Sequence, residues 1–481
     1  MKFSFINPGP NETLLKGQRT MISASPPLGI LYIASVLKSV GVEVSALDQA
    51  ADGSSIRDVV DWVMKEDPDV LGVSALLSSS LTAPKIAEEV KKKNPGLTIV
   101  FGNHHATFNA ERVLKKYPCV DMVVRGEGEE TCLEIADHLE KKRSLKDVLG
   151  VTFKHKNRII SNPDRPLIKD IDLLPFPDRD LLDSGYHNTT VGINVAPKKF
   201  TSLLSSRGCV FRCKFCCCTR VAHNFWRSRS IENILGEIHF LASEGYKQLM
   251  FVDDNFTLDP KRVIRLCQRI RKEKIDIEWL GEGRVDNCSY DLLRSMAKAG
   301  CRMIYFGIES GSQKILDYYN KGITPEMSER AVAKARKAGV DLIMGSFIIG
   351  APNETKRDIQ KTLNFSRKLD LDIPQINVLG AFPGNLIWEE TKEKGLLNED
   401  TYWETGACIS DIYPNTVPLK ELKQLIHDYY QNLLASPRYL AKETLLTFRS
   451  PYRLRVAFSN LGRINTIRDS VSSFSSASND A

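Results

Sequence analysis

Cys209, Cys213 and Cys216 lie in the run Arg207-Gly-Cys-Val-Phe-Arg-Cys-Lys-Phe-Cys216, a C-x3-C-x2-C spacing. Three thiolates this close can hold three irons of a cubane 4Fe–4S cluster, which ordinarily takes four cysteines. Three leave one iron open, as in a metal site that binds a reactant rather than one that only braces a fold. The bland alternative is three buried cysteines brought together by accident. Cys217 and Cys218 extend the run and read as packing beside the cluster, with alternative ligation left open. The chain has eleven cysteines, five of them between 209 and 218, a pattern that argues for reduced thiols and metal rather than a disulfide framework. The others, at 119, 132, 267, 288, 301 and 408, form no second C-x2-C pair, so no auxiliary cluster is expected. From Lys198 to Arg229 there are eight Lys or Arg and no Asp or Glu, a surround that favours an anionic cluster.

The elements that must position this run come from two alternating patterns. Over residues 1–145, strand-like stretches at 3–6, 42–47, 70–74, 98–102 and 122–125 alternate with helix-like stretches at 29–40, 56–65, 83–94, 110–116 and 130–141. That alternation predicts an α/β fold with a doubly wound parallel sheet, which binds ligands beyond the carboxyl ends of its strands. The loops there are Asn7-Pro-Gly-Pro10, Leu76-Leu-Ser-Ser-Ser80, Gly102-Asn-His-His-Ala-Thr107 and Arg125-Gly-Glu-Gly-Glu129. Residues 146–195 read as a linker, extended and proline-punctuated at Leu173-Leu-Pro-Phe-Pro-Asp-Arg-Asp180. Over 196–390 six further strands, at 200–204, 248–252, 277–281, 303–307, 342–349 and 375–380, alternate with helices. They predict a partial (β/α)6 barrel of TIM type with its chemistry at the strand carboxyl ends. The loops there carry Asp253-Asp254, Gly283-Arg284, Gly307-Ile-Glu309-Ser310 and Gly350-Ala-Pro-Asn-Glu-Thr355. Residues 391–468 read as a small, mostly helical C-terminal region, and 469–481 as a disordered tail.

Hydrophobic residues are 42% and charged residues 26% of 481, proportions of a globular protein. No run of 18 apolar residues argues for a spanning helix, and the first residues read as a strand rather than a signal peptide. The expected location is cytoplasmic. The net charge of +7 is concentrated around the cysteines and in the tail. No nucleic-acid partner is expected.

The cysteine spacing, with an aromatic before the third cysteine and an apolar strand ahead of the run, resembles the radical S-adenosylmethionine (radical SAM) family. Pro26-Pro-Leu-Gly before an apolar helix, Gly-Asn-His-His-Ala-Thr and Arg-Gly-Glu-Gly-Glu together resemble the cobalamin-binding domain that precedes the barrel in the B12-dependent branch of that family. The family's third loop usually reads Gly-Gly-Pro-His-Ala-Thr, so Asn103 and His104 depart from it while Gly102, His105, Ala106 and Thr107 match. The resemblance implies a 4Fe–4S cluster on Cys209, Cys213 and Cys216, which are both catalytic and metal ligands. It also implies AdoMet near Phe215, Asp254, Arg284, Glu309 and Ser310. Cobalamin, as methylcobalamin, would lie near Ser78, Ser80, Gly102, His105, Thr107, Gly126 and Glu129. A lone histidine is more often a satisfied polar residue, and a strand-end aspartate such as Asp253 or Asp254 can be a helix N-cap. Asp48-Gln-Ala50-Ala-Asp-Gly53 has the spacing of another cobalamin motif with Ala in place of its histidine, so no lower-ligand histidine is found.

The implied reaction is methyl transfer from methylcobalamin to an unactivated carbon, opened by a 5′-deoxyadenosyl radical and completed by remethylation from a second AdoMet. The first rival is a non-methylating cyclase or oxidase on the same cofactors, acting on a lipid or tetrapyrrole. The second is a cofactor-binding sensor, which the open iron argues against. A lipid, a peptide or protein side chain and a tetrapyrrole remain alternative substrates, with an electron donor such as ferredoxin or flavodoxin. From Arg438 to Arg468 seven basic residues face one acid, Glu443. This basic, apolar stretch reads as a cap on the barrel's open side, a peripheral membrane contact or a protein contact, and it tilts the substrate reading toward a large or surface-bound molecule.

Overall fold

Apolar runs punctuated by glycine and proline fold into two mainly parallel sheets in the computed structural model. It describes residues 1–11, 24–156, 158–182, 185–405 and 417–463. Cys408 and the 469–481 tail lie outside the described residues. The first sheet contains β1 (Lys2–Asn7), β2 (Glu43–Asp48), β3 (Val70–Ser74), β4 (Thr98–Gly102), β5 (Met122–Val124), β6 (Val151–His155) and β7 (Arg158–Ser161). Their order is β2-β1-β3-β4-β5-β6-β7. The first five are parallel and the last two antiparallel. Helices Leu28–Ser39 and Glu129–Leu139 cover Phe3, Phe5 and Val100 on one face. Helices Ile56–Glu66, Thr82–Lys93 and Ala110–Lys116 cover Ile6, Val73 and Phe101 on the other. The doubly wound expectation holds, with the order change beside β1 placing a crevice at the carboxyl edge.

One difference is that the expected linker begins inside this sheet. β6 and β7 form a hairpin that pairs along β5, and Val151 and Phe153 are buried by it. A three-residue β5 left as an edge would expose unpaired backbone, and the hairpin covers it.

The second sheet runs in sequence order: β8 (Phe200–Leu203), β9 (Gln248–Phe251), β10 (Glu278–Gly283), β11 (Cys301–Glu309), β12 (Leu342–Ile349) and β13 (Ile373–Val378). All pairs are parallel. Ser230, Asp259, Ser289, Thr324 and Thr355 each cap the following helix with a side-chain oxygen, each cap being worth about 1 kcal/mol. The cap after β9 is thus Asp259, ahead of Pro260, which leaves Asp253 and Asp254 for other work. This is the partial (β/α)6 barrel the sequence predicts.

The C-terminal region closes two openings of the barrel. Helix Leu419–Leu434 lies along the open β13 edge, where the Tyr430 hydroxyl accepts from Ile376 N at 3.0 Å. The sequence predicts two tail helices, over 419–435 and 438–448, and the structure has a third, Pro451–Asn460, started by a Ser450 cap with Pro at its first position. Its Tyr452 and Val456 plug the barrel's amino end against Phe200, Leu280, Met303 and Met344. The Tyr452 hydroxyl donates to the Val195 carbonyl at 2.6 Å.

The two halves share one core. Ile315, Tyr319, Leu379, Trp388 and Tyr402 pack in the same cluster as Val73, Ile86 and Phe101 of the first sheet. No helix among the described residues is long and apolar enough to cross a membrane.

Candidate functional site

The cysteine loop leaves β8 and returns through a short antiparallel ladder in which Ser206–Arg207 pairs with Arg227–Ser228. Two adjacent aspartates at the end of β9 fasten its entry. Buried Asp253 accepts from Ser205 N at 2.7 Å and from the Ser205 and Ser206 hydroxyls, with Arg262 at 3.7 Å. Asp254 accepts from Gly208 N at 2.8 Å. Gly208 has φ +88°, and a Cβ there would lie 2.1 Å from the Phe225 carbonyl oxygen, so only glycine fits before Cys209.

Arg207 and Arg227 then join the two halves. Arg207 meets Glu127 at 3.0 Å and Glu129 at 2.6 Å, and Arg227 meets Glu127 at 2.9 Å. Burial would raise the Glu127 carboxyl, but the two guanidiniums outweigh it and hold the group below its ordinary value. Removing one partner of such a buried set costs about 3–5 kcal/mol.

Cys209, Cys213 and Cys216 share one loop, and burial, helped by the neighbouring thiols, pushes the Cys209 thiol up. Burial pushes the Cys213 thiol up, with Lys321 and Arg284 opposing. The Arg284 guanidinium stacks 3.6 Å from the Phe211 ring centre, and its Nη1 lies 3.9 Å from Cys213 Sγ. A hydrogen bond with Cys218, followed by burial, raises the Cys216 thiol. Among the described residues no three His, Cys, Asp or Glu side chains converge on a single ion position. A cubane does not ask for that, since each thiolate takes its own iron. Three thiols on one loop, with cationic groups around Cys213, fit the cluster.

Arg284 also pairs with Asp286 at 3.0 Å and donates to the Lys321 carbonyl at 2.7 Å. A bulge in β11 between Gly307 and Glu309 turns Glu309 to φ +65°, where its carboxylate accepts from Lys321 Nζ at 2.7 Å. Gly307 makes room, because a Cβ there would meet that carboxylate at 2.6 Å. Phe215 stands edge-on to Tyr319 with centroids 5.3 Å apart, under Lys321 Nζ at 5.7 Å. Asp254, Arg284, Glu309 and Phe215 therefore gather around the cysteines. Ser310 does not offer its hydroxyl, which bonds Thr362 at 2.8 Å and accepts from Ser312 N. In the Gly350 loop, Glu354 ties the Gly350 and Ala351 amides, and burial raises its carboxyl to about 7.

The sequence reading missed Glu282. On the β10 face shared with Leu280 it points into the barrel beside Tyr305. Burial, then Asp254 and Asp253, raise it to about 7. Its signal was a carboxylate two residues beyond an inward Leu.

A cavity of about 390 Å³ lies between the halves. Gly29, Tyr32, Gly102, His104, Thr107 and Gly126 line it from the first domain. Arg207, Gly208, Cys218, Val252 and Asp254 line it from the barrel. A Cβ on Gly29 or Gly126 would meet nothing within 4 Å, and one on Gly102 only a carbonyl at 3.9 Å, so these glycines leave space for a large group. Its inner wall is apolar, with Ile33, Val73, Val100 and Val124. Such a concave, mostly apolar site with few polar groups fits part of a large cofactor such as cobalamin.

Four of the seven expected cobalamin residues reach this cavity: Gly102, Thr107, Gly126 and Glu129. Three do not. Ser80 accepts from Asn11 Nδ2 at 3.2 Å, and the Ser78 carbonyl accepts from Asn11 N at 2.6 Å, so both brace the loop after β1. His105 is buried against Tyr402 and Trp403, with Nδ1 2.6 Å from the Tyr402 hydroxyl, and burial lowers its pKa to about 4. Its neighbour His104 lines the cavity instead. Asn103, at φ +75°, donates to Ser74 Oγ at 2.9 Å and accepts from His104 Nδ1 at 2.7 Å. Asn tolerates that left-handed backbone, which explains its stand-in for glycine. The bond makes Nδ1 the protonated nitrogen, and Nε2 has no hydrogen-bond partner among the described residues. Asp48 does not line the cavity. It caps a single helical turn that ends at Gly53 and accepts from Asn7 and Tyr186.

The radical SAM superfamily pattern matches residues 203–366 and the B12 binding domain pattern residues 21–136. An uncharacterized methyltransferase of Pyrococcus horikoshii is 35% identical over 92% of this chain and 94% of its own. The anaerobic magnesium-protoporphyrin IX monomethyl ester cyclase of Rubrivivax gelatinosus is 27% identical over 82% of this chain and 70% of its own. Among solved structures, the cobalamin-dependent S-adenosylmethionine radical enzyme OxsB, with aqua-cobalamin and S-adenosylmethionine bound, superposes with a TM-score of 0.71. The match covers 98% of this chain and 74% of that one at 18% identity. The radical S-adenosylmethionine methyltransferase TsrM of Kitasatospora setae, with cobalamin and a [4Fe-4S] cluster, gives 0.66 over 82% and 75%, also at 18% identity. The chain belongs to the cobalamin-dependent radical SAM enzymes, whose cofactors are a 4Fe–4S cluster, AdoMet and cobalamin.

Proposed function

We propose that this enzyme transfers a methyl group from cobalamin to an unactivated carbon of a small molecule or lipid, with electrons from a small carrier protein such as ferredoxin or flavodoxin. One observation carries the reading: Gly208 and Cys218 of the cysteine loop line the same cavity as Gly102 and Gly126 of the first domain. Chemistry that draws on two cofactors needs both near one substrate carbon, and a common cavity would supply that proximity. The cluster and AdoMet supply the radical, and the cobalamin supplies the methyl group.

The chain's residues would hold and shield these groups. Cys209, Cys213 and Cys216 ligate the cluster, and Arg284 and Lys321 stabilise its thiolates. Asp254 fixes the loop, and Glu309 and Phe215 would border the AdoMet. Gly102, Thr107, Gly126 and His104 would border the cobalamin. Arg207, Arg227, Glu127 and Glu129 keep the two halves in register.

A non-methylating cyclisation is the second reading, favoured by the likeness to the anaerobic cyclase. Anaerobic reconstitution with iron, sulfide and methylcobalamin, then AdoMet and reductant, separates the two. Methyl transfer gives 5′-deoxyadenosine together with S-adenosylhomocysteine. Cyclisation gives 5′-deoxyadenosine without S-adenosylhomocysteine. No AdoMet cleavage by protein with an intact cluster would overturn both.

A further inference from the structure

The far end of the molecule carries an unpartnered surface. Helix Pro437–Phe448 and the plug helix Pro451–Asn460 turn large apolar side chains outward: Leu440, Leu445, Phe448 and Phe458, flanked by Leu434 and Leu461. Phe448 is 75% exposed and Phe458 69%. Isolated exposed apolar residues are ordinary, but a cluster on adjoining helices marks a contact surface. Arg438 and Arg449 are exposed beside it, and neither has an ion-pair partner among the described residues. The one acid of these helices, Glu443, is withdrawn into pairs with Arg453 at 2.9 Å and Lys442 at 3.0 Å. The face is therefore apolar with a free cationic rim and no free carboxylate on its own helices.

We propose that this face docks the enzyme on an anionic phospholipid surface. Phenylalanine and leucine with arginine on one side of a helix is the composition that settles at the headgroup boundary. Each arginine near an anionic leaflet adds about 1 kcal/mol of attraction. A second copy of the chain fits less well, since a two-fold pairing of identical patches would set Arg438 and Arg449 against their own kind. The face lies at the barrel's amino end, and the cysteine loop lies at the carboxyl end. A docked enzyme would hold its cavity away from the bilayer, so docking localises the enzyme and leaves its turnover unchanged.

Flotation of the intact chain with vesicles tests this. We expect it to rise with vesicles containing phosphatidylglycerol, to stay behind with phosphatidylcholine alone, and to detach as salt increases. Phe448→Ser with Phe458→Ser should abolish flotation. Arg438→Glu with Arg449→Glu should weaken it by about tenfold or more. Both doubles should keep the circular dichroism spectrum, cluster iron and deoxyadenosine yield of the parent. Failure to float with either vesicle would overturn the proposal, as would equal flotation with both. A dimer in solution that the phenylalanine double disperses, without lipid binding, would assign the face to a second copy.

Discussion

The carboxyl edges of the two sheets solve opposite problems. The first edge is built from absence: Gly29, Gly102 and Gly126 leave open space, and apolar walls make few demands on what fills it. The second is built from fixed charge: Asp253 and Asp254 lock the cysteine loop, and Arg284, Lys321 and Glu309 bond one another beside it. A large flat group needs room and shape, whereas a small anionic cluster needs positioned ligands and compensating charge. The contrast teaches that the two cofactors should fail independently when their own edge is damaged, and together when the bridge between edges is cut.

The largest break is Cys213→Ala or Cys216→Ala. Cluster iron and deoxyadenosine formation should be abolished while cobalamin, followed by its absorbance, still binds. Glu127→Ala should come next, because it strips Arg227 of its carboxylate and lowers stability by about 3 kcal/mol in chemical unfolding. Since the Glu127 carboxyl is held down in the folded state, its contribution is full above the ordinary carboxylate pKa and lost as pH falls through the lowered one. The variant should therefore lose stability least at acid pH. Gly102→Leu should weaken cobalamin binding on the order of 10- to 100-fold by overfilling the cavity, with iron content unchanged. Loss of iron as well would erase the contrast between the edges.

Smaller effects sharpen it. His104→Ala should alter the absorption or electron paramagnetic resonance spectrum of bound cob(II)alamin while binding falls only a few-fold. An unchanged spectrum would place His104 away from the metal. Glu282→Gln should flatten the pH dependence of stability between about 4.5 and 7. A carboxyl raised to about 7 keeps its proton longer in the folded state, so the parent loses stability as pH rises through that window.

Much of this was legible in the sequence. Parallel strands buried on both faces read as apolar runs, which is why β1, β3, β4 and β12 stand where the pattern puts them. β6 and β7 escaped because four or five residues beside a proline-rich stretch carry little periodicity, and only the exposed β5 edge explains them. The plug helix escaped because Pro451 reads as a stop, while Ser450 makes it a start. The cysteines were legible from spacing alone. His105 was chosen over His104 because a motif records residue type and order, not which way a side chain turns. Asn103 and Tyr402, far apart in sequence, decide that. Glu127 was hidden for the same reason, since its partners lie 80 and 100 positions away.

The core that runs unbroken from Val73 to Trp388 and Tyr402 bears on the lifetime of the loaded enzyme. Two domains that share their interior cannot swing apart as a hinge without exposing buried aromatics. Loss of the large cofactor then waits on a local unfolding event, and its exchange rate should track the opening of that seam rather than the equilibrium affinity. A protein assembled this way would take up its cobalamin most readily while it folds and would exchange it slowly afterwards.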